Sequence, residues 1–209
     1  MSSKANSDLL KSLFNFAAVV VVVPALVSFA VRSRILGRDR ALQGSSQAWS
    51  LIPGLLGQYL RRAFYRHSLR EFGAGAVVEF GTVLSKADCE IGDHVYIGPY
   101  CHLGLVTIGE GALIAAGAHI PSGSQTHGMS RVDIPIRNQE GELRRVQIGS
   151  DAWVGSNAVV MANIGERSVV AAGAVVVEPV PANTVVGGVP ARTLKLREQA
   201  SSSSEMSVG

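Results

Sequence analysis

Two thiols and five imidazoles are the side chains of this 209-residue chain best suited to nucleophilic, acid–base or metal chemistry. The thiols, Cys89 and Cys101, have no partners at metal-ligand spacing and read as those of a reduced compartment. Cys101 follows Ile97 by four residues, a place held elsewhere by Ala112, Ala118, Ala152 and Ala158, and is expected to be a small buried residue. The imidazoles are His67, His94, His102, His119 and His127. An imidazole exchanges a proton near neutral pH, which suits general-base work on a hydroxyl. His102 and His119 stand one residue before apolar positions and are expected to face outwards. His94 reads as a corner residue and His67 as exposed on a helix. His127 lies in a stretch, 121–147, that has no period of its own.

The elements that must position these groups are set by a step of six. Apolar residues recur at Phe72, Val78, Leu84, then Ile91, Ile97, Leu103, then Ile108, Ile114, Ile120. They resume at Ile148, Val154, Val160 and at Ile164, Val170, Val176, often followed by glycine. Six matches neither the helical period nor the strand period. It is the period of a parallel β-helix, in which each short face offers one inward side chain. Few aromatics (6%) and 23 glycines fit such a narrow core. Grouped in threes, the sixes predict five triangular coils over 72–180, with 181–192 leaving the repeat. Small residues four places after each anchor, such as Ala76, Thr82 and Ala174, are expected to pack inside. One step breaks the pattern badly: from Ile120 to Ile148 is 28 residues. A loop of that length on a solenoid is usually functional or disordered.

Before the repeats, residues 12–31 carry no charge and match the thickness of a bilayer core as a helix. Pro24 is tolerable there. The arginines that follow (Arg32, Arg34, Arg38, Arg40) outweigh Lys4 and Lys11, so the bulk of the chain is expected on the cytoplasmic face of the inner membrane. Together with Arg61, Arg62, Arg66 and Arg70 they form a basic block that favours an anionic membrane surface over nucleic acid. Leu55, Leu56, Tyr59, Leu60, Ala63 and Phe64 fall at helical spacing. They predict an amphipathic helix that lies in the membrane interface or caps the open end of the coils. The expected organisation is an anchor and basic flank over 1–40, this helix within 41–71, the β-helix over 72–195, and a disordered tail over 196–209.

The stretch IGSDAWVGSNAVVMANIGERSVVAAGAVV at 148–176, with GGVPAR at 187–192, resembles the hexapeptide-repeat acyltransferases, most of all the maltose, galactoside and exopolysaccharide O-acetyltransferase branch. The resemblance covers about 72–195. SLIPGLLGQYLRRAFYR at 50–66 is also similar to a leader of membrane-associated members from polysaccharide gene clusters. It implies a left-handed parallel β-helix, an acetyl-CoA co-substrate, a saccharide acceptor and a homotrimer with sites between subunits. Other small acceptors, serine or an amino sugar, and a non-catalytic trimeric scaffold at the membrane are the alternatives. The family's loop histidine, a general base, corresponds to His127 in PSGSQTHGM. Ser122 and Ser124 leave a covalent route open, and Asp133 stands where it could orient an imidazole. Arg144 and Arg145 could meet phosphate or saccharide charge. The implied CoA-binding residues are Trp153, Ser156, Ala172, Gly173 and Arg192. The histidines do not reproduce the zinc pattern of β-helical carbonic anhydrases, and no metal is expected. Many relatives carry Thr-Lys after the last valines, where this chain has Val177 and Glu178.

Overall fold

Successive six-residue steps wind the chain around a triangular prism in a computed structural model that describes residues 2–197, with side chains from 13 onward. The serine-rich stretch expected to form a tail therefore lies, beyond Leu196 and Arg197, outside the described residues. The first face stacks Glu71–Phe72, Glu90–Ile91, Val106–Ile108 and Val146–Ile148, and continues through bridges at Ile164 and Val180. The second stacks Val77–Val78, Tyr96–Ile97, Leu113–Ile114, Trp153–Val154, Val169–Val170 and Thr184–Gly188. The third stacks Val83–Leu84, His102–Leu103, His119–Ile120, Val159–Val160 and Val175–Val176.

Pairing is parallel and in phase: Phe72 meets Ile91, Val78 meets Ile97, and Leu84 meets Leu103. All the six-step anchors are 7% exposed or less. The small residues four places on, from Ala76 and Thr82 to Ser168 and Ala174, are buried as well. Each large aliphatic anchor so buried contributes roughly 1.5–3 kcal/mol. At two of the corners the third residue after the anchor takes a positive φ, at His94, Tyr100, Asp151, Asn157, Arg167 and Asn183. His94 is thus an exposed corner residue, as its position predicts.

The coil runs further than the five turns expected. Val180 bridges Ile164, and Val186 pairs with Val170, so the first two faces reach a sixth level. Pro181 does not end the repeat: the residue just past each lower first-face anchor, such as Gly149 or Gly165, donates its N–H to the coil above, but Val180 is the last level of that face, so no ladder hydrogen bond is asked of Pro181. The chain then reverses, and Ala191–Leu196 pairs antiparallel with Thr184–Gly188 to cover that end.

Three helices close the other end: α1 (Ser2–Leu36), α2 (Arg38–Ser50) and α3 (Gly54–Ser68). Residues Leu13–Leu36 of α1 are long and apolar enough to cross a membrane by length and composition. The first coil presents backbone groups with no coil beneath them, and the helices satisfy them. Ser46 Oγ accepts the Leu84 N–H at 2.8 Å and pairs with the Tyr65 hydroxyl at 2.7 Å. Arg61 Nε donates to Val78 O at 2.8 Å, and Arg62 Nε to Ala76 O at 3.0 Å. The expected amphipathic face of α3 needs correction: Leu55 and Leu56 are exposed, whereas Arg61 is fully buried. Carbonyls receive part of the Arg61 guanidinium, Nε donating to Val78 O and Nη1 to Trp49 O and Ile52 O, while its Nη2 is buried without a partner.

Candidate active site

The long loop leaves the third face after Ile120 and returns to the first at Val146. Its two limbs run together as an arm. Arg144 N–H donates to Ser122 O at 2.8 Å, and Glu142 N–H to Gln125 O at 2.7 Å. Glycines let the limbs touch: a Cβ at Gly141 would lie 2.1 Å from Thr126 O, and one at Gly128 would lie 2.5 Å from Glu140 O. Farther out, the Gln139 amide donates to Arg131 O and Ile134 O at 2.7 and 3.1 Å, folding the tip back on itself. His127 sits exposed where the outgoing limb meets this lobe, in a hollow shared with Gln125, Met129, Ser130, Glu140 and Glu142.

The arm assigns its other polar residues to structure. Asp133 is held by the Arg131 guanidinium, which keeps its carboxyl below the usual range, so it does not orient His127. Ser122 is buried and its Oγ accepts the Leu105 N–H at 2.9 Å, which removes it as a nucleophile; Ser124 is exposed. Arg144 pairs with Glu142 at 2.7 Å. Arg145 reaches across the first face to Asp88, to Thr107 Oγ1 at 3.1 Å and to Glu90 at 3.7 Å. Arg70 holds the same two carboxylates, Asp88 at 3.4 Å and Glu90 at 3.0 Å. Both loop arginines are therefore neutralised within the chain rather than free for phosphate. This lattice pins the arm's return to the prism.

The residues implied for CoA gather elsewhere, at the corner between the second and third faces. Trp153 points outward from the second face and is 51% exposed. Ser156 turns that corner, and Gly173 stacks above it, its N–H donating to Ser156 O at 2.8 Å. Gly173 has φ +68° and nothing within 4 Å of its missing Cβ, so the corner is open. Ala172 is exposed beside it. Arg192 pairs with Gly187 at the start of the terminal strand and is exposed, its Nη1 touching only the neighbouring Ala191 carbonyl. Small exposed residues below a guanidinium fit an extended pantetheine arm ending in phosphate. Glu178 lies at the other corner, in a hollow with Ser124, Arg144, Met161 and Val177.

One arrangement was not foreseen. His102 and His119, facing outwards as expected, meet in register on the third face, their ring centres 4.9 Å apart and the rings tilted by 43°. Burial, then the neighbouring His119, lowers the His102 pKa, and its Nδ1 is buried without a partner. The 17-residue offset that places Leu103 beneath Ile120 was the available signal. Cys89 and Cys101 are both buried, and burial pushes the Cys89 thiol up to about 11. Among the described residues no group of three His, Cys, Asp or Glu side chains is placed to hold a metal ion. Within one chain, then, the structure gathers Ser156, Ala172, Gly173 and Arg192 near Trp153, and sets His127 on an arm from a different corner.

Comparison with known proteins is consistent with this geometry. Residues 88–122 match the family model described as bacterial transferase hexapeptide (six repeats), and 145–178 match that of the hexapeptide repeat of succinyl-transferase. The Escherichia coli protein WbbJ, named for lipopolysaccharide biosynthesis O-acetyl transfer, is 38% identical over 113 residues, 49% of this chain and 58% of its own length. Galactoside O-acetyltransferase of Escherichia coli is 34% identical over 93 residues, 43% of each chain. The chain thus spans about half the length of the curated relatives it matches. A hexapeptide-repeat-containing acetyltransferase from Vibrio cholerae, solved in complex with acetyl-coenzyme A, superposes with TM-score 0.63 at 27% identity, over 77% of this chain and 89% of that one.

Proposed function

From the premise that this chain belongs to the hexapeptide-repeat transferases, we propose that it is an acetyl-CoA-dependent O-acetyltransferase acting on a saccharide hydroxyl at the membrane. The observation that carries the reading is the arm: the single long break in the coil presents an exposed imidazole, His127, on paired limbs anchored at both ends. The family resemblance and the names of the relatives support the acyl group and the acceptor class.

Ser156, Ala172 and Gly173 would bed the pantetheine arm, Trp153 would flank it, and Arg192 would take a phosphate. Bound acetyl-CoA supplies an acetyl group activated as a thioester. His127 accepts the proton of the acceptor hydroxyl as that oxygen attacks, and returns it on the side of the departing thiolate. A sugar hydroxyl is protonated at neutral pH and needs this help. Proton acceptance of this kind contributes about 10²–10⁴-fold. Because the arm and the CoA corner lie apart in one chain, a homotrimer would complete each site with groups from two copies. The helices α1 and α3 would hold the enzyme at the cytoplasmic face of the membrane, beside a lipid-linked or nucleotide-linked saccharide precursor.

The test is thiol release from acetyl-CoA by the purified full chain over a saccharide pool, with mass spectrometry of the product. Wild-type turnover and a loss of at least about 10²-fold in His127→Ala are expected. Unchanged turnover in that variant removes the general-base role. No wild-type turnover on any saccharide favours the scaffold reading.

A further inference from the structure

The apolar helix α1 does not stand away from the molecule, as a spanning anchor would. It lies lengthwise on α3 and α2. Phe14 meets the Tyr59 ring at 5.7 Å, and Phe29 meets Phe64 at 5.8 Å. Between them Ala18 and Val22 are buried. Beyond them Arg32 Nη2 donates to Ser45 Oγ at 2.7 Å. Phe14 to Arg32 is about 27 Å of helix, so nearly the whole apolar length is fastened to α3 and α2. Those helices are themselves fastened to the first coil through Ser46, Arg61 and Arg62. A bilayer crossed by α1 in this arrangement would have to admit Gln58, Arg62 and Arg66 as well, and charged groups are strongly disfavoured in hydrocarbon.

The opposite face of α1 is the apolar one left open. Val20, Val23, Val27 and Val31 form one stripe and are 47–59% exposed. Leu55 and Leu56, one turn before Tyr59 on α3, are exposed as well. At the elbow where α1 turns into α2, Arg34 and Arg40 are exposed, and Arg38 donates to Ser68 O at the end of α3, near exposed Arg66. The acid of the elbow, Asp39, is already engaged by Lys86 and the Ala87 N–H. An apolar stripe edged by arginines fits a surface of acyl chains under anionic headgroups.

We infer that α1 and the start of α3 form a platform that lies in one leaflet of an anionic membrane, with the β-helix standing on the same side as the chain's N-terminus. The inference rests on the membrane association proposed above and changes its geometry from spanning to lying. It also fixes the prism's pose, first coil towards the lipid and the CoA corner levels away.

Depth measurement on the full chain reconstituted in phosphatidylcholine–phosphatidylglycerol vesicles tests it. Spin labels are placed by Val20→Cys, Val27→Cys and Ile35→Cys; the native thiols, Cys89 and Cys101, are buried and do not compete. A lying helix puts all three labels at one shallow depth. A spanning helix spreads Val20 and Ile35 by about 20 Å, and that gradient would overturn the proposal while leaving membrane association intact. Replacing Arg34, Arg40 and Arg66 with Gln is expected to weaken binding to anionic vesicles by about fivefold per arginine, and to leave binding to pure phosphatidylcholine unchanged. Equal losses on both would overturn the headgroup contact. A chain that floats with neither vesicle would overturn the membrane association itself.

Discussion

Gly141→Ala isolates what the arm does for His127. The added Cβ would stand 2.1 Å from Thr126 O and 2.6 Å from the His127 N. Both are backbone atoms, so no side chain can swing aside. Real Cβ contacts essentially never fall under 3.0 Å, and the limbs must part by about 1 Å to reach it. That displacement falls on the peptide that carries the imidazole. Misplacement of a catalytic group by about 1 Å costs on the order of 10² in rate. Stability should hardly move, because the arm is outside the core and the limb pairs at Ser122–Arg144 and Gln125–Glu142 fasten it on the prism side of the site. About 1 kcal/mol or less is expected in thermal or denaturant unfolding. The assay is the initial rate of thiol release from acetyl-CoA with an acceptor that supports wild-type turnover, beside unfolding of the same preparation. A variant that turns over at the wild-type rate, where His127→Ala does not, would refute the claim that limb contact sets the position of the base.

Two further perturbations probe the scaffold. Ser46→Ala strands two buried partners, the Leu84 N–H and the Tyr65 hydroxyl; at about 1–3 kcal/mol for each unsatisfied group, denaturant unfolding should show a loss of roughly 2–6 kcal/mol. His102 has a pKa lowered by burial and then by His119, so the unfolded chain binds its proton first as pH falls. Its contribution is whole above the ordinary value of 6.5 and is lost below it, by at most about 1.4 kcal/mol per pH unit. His102→Phe should flatten that acid-side decline in a stability–pH series, and an unchanged slope would exclude His102 as its source.

The core was legible because the repeat leaves little choice. Each anchor from Phe72 to Val176 must point inward if its neighbours do, and a slip by one residue would expose the row. What was missed follows from the same logic. Val180 and Val186 continue the step, but Pro181 and Pro190 drew the boundary too early, although a proline on the last level of a face has no coil above it to donate to. The helix α2 was unreadable as an amphipath because the face it buries includes Ser45, Ser46 and Ser50. Those serines serve backbone groups of the coil and of their own helix, which no apolar period records. Arg61 failed in the opposite way: its charge marked it as surface, whereas the bare carbonyls of the first coil needed a buried donor. The exposed place of His127 on the arm was legible from the broken step, while the role proposed for it came from the resemblance. The Arg145 lattice with Asp88, Glu90 and Arg70 was hidden, because paired residues lie up to 57 positions apart and meet only once the coils stack.

If acetyl-CoA lies at the corner of Ser156, Ala172 and Gly173 and His127 is the base, as proposed, the two start from different corners of one chain. Reacting groups must come within about 3–3.5 Å, yet His127 leaves one corner of the prism while Ser156, Ala172 and Gly173 line another, with the third face between them. If a second copy supplies the missing half, two disabled chains should repair one another. His127→Ala lacks the base and keeps the corner. Ala172→Trp fills the open corner and keeps the base. Each is expected to be inactive alone. Co-expressed in equal amounts, they assort at random in a closed ring with head-to-tail contacts. A site then needs an intact arm from one chain and an intact corner from the next, which about one quarter of sites obtain. Recovery near that level, read as thiol release by the isolated mixed oligomer, requires a shared site. No recovery in oligomers proven to be mixed would place base and CoA on the same chain. The arm would then have to fold across the third face, over His102 and His119, to reach the thioester.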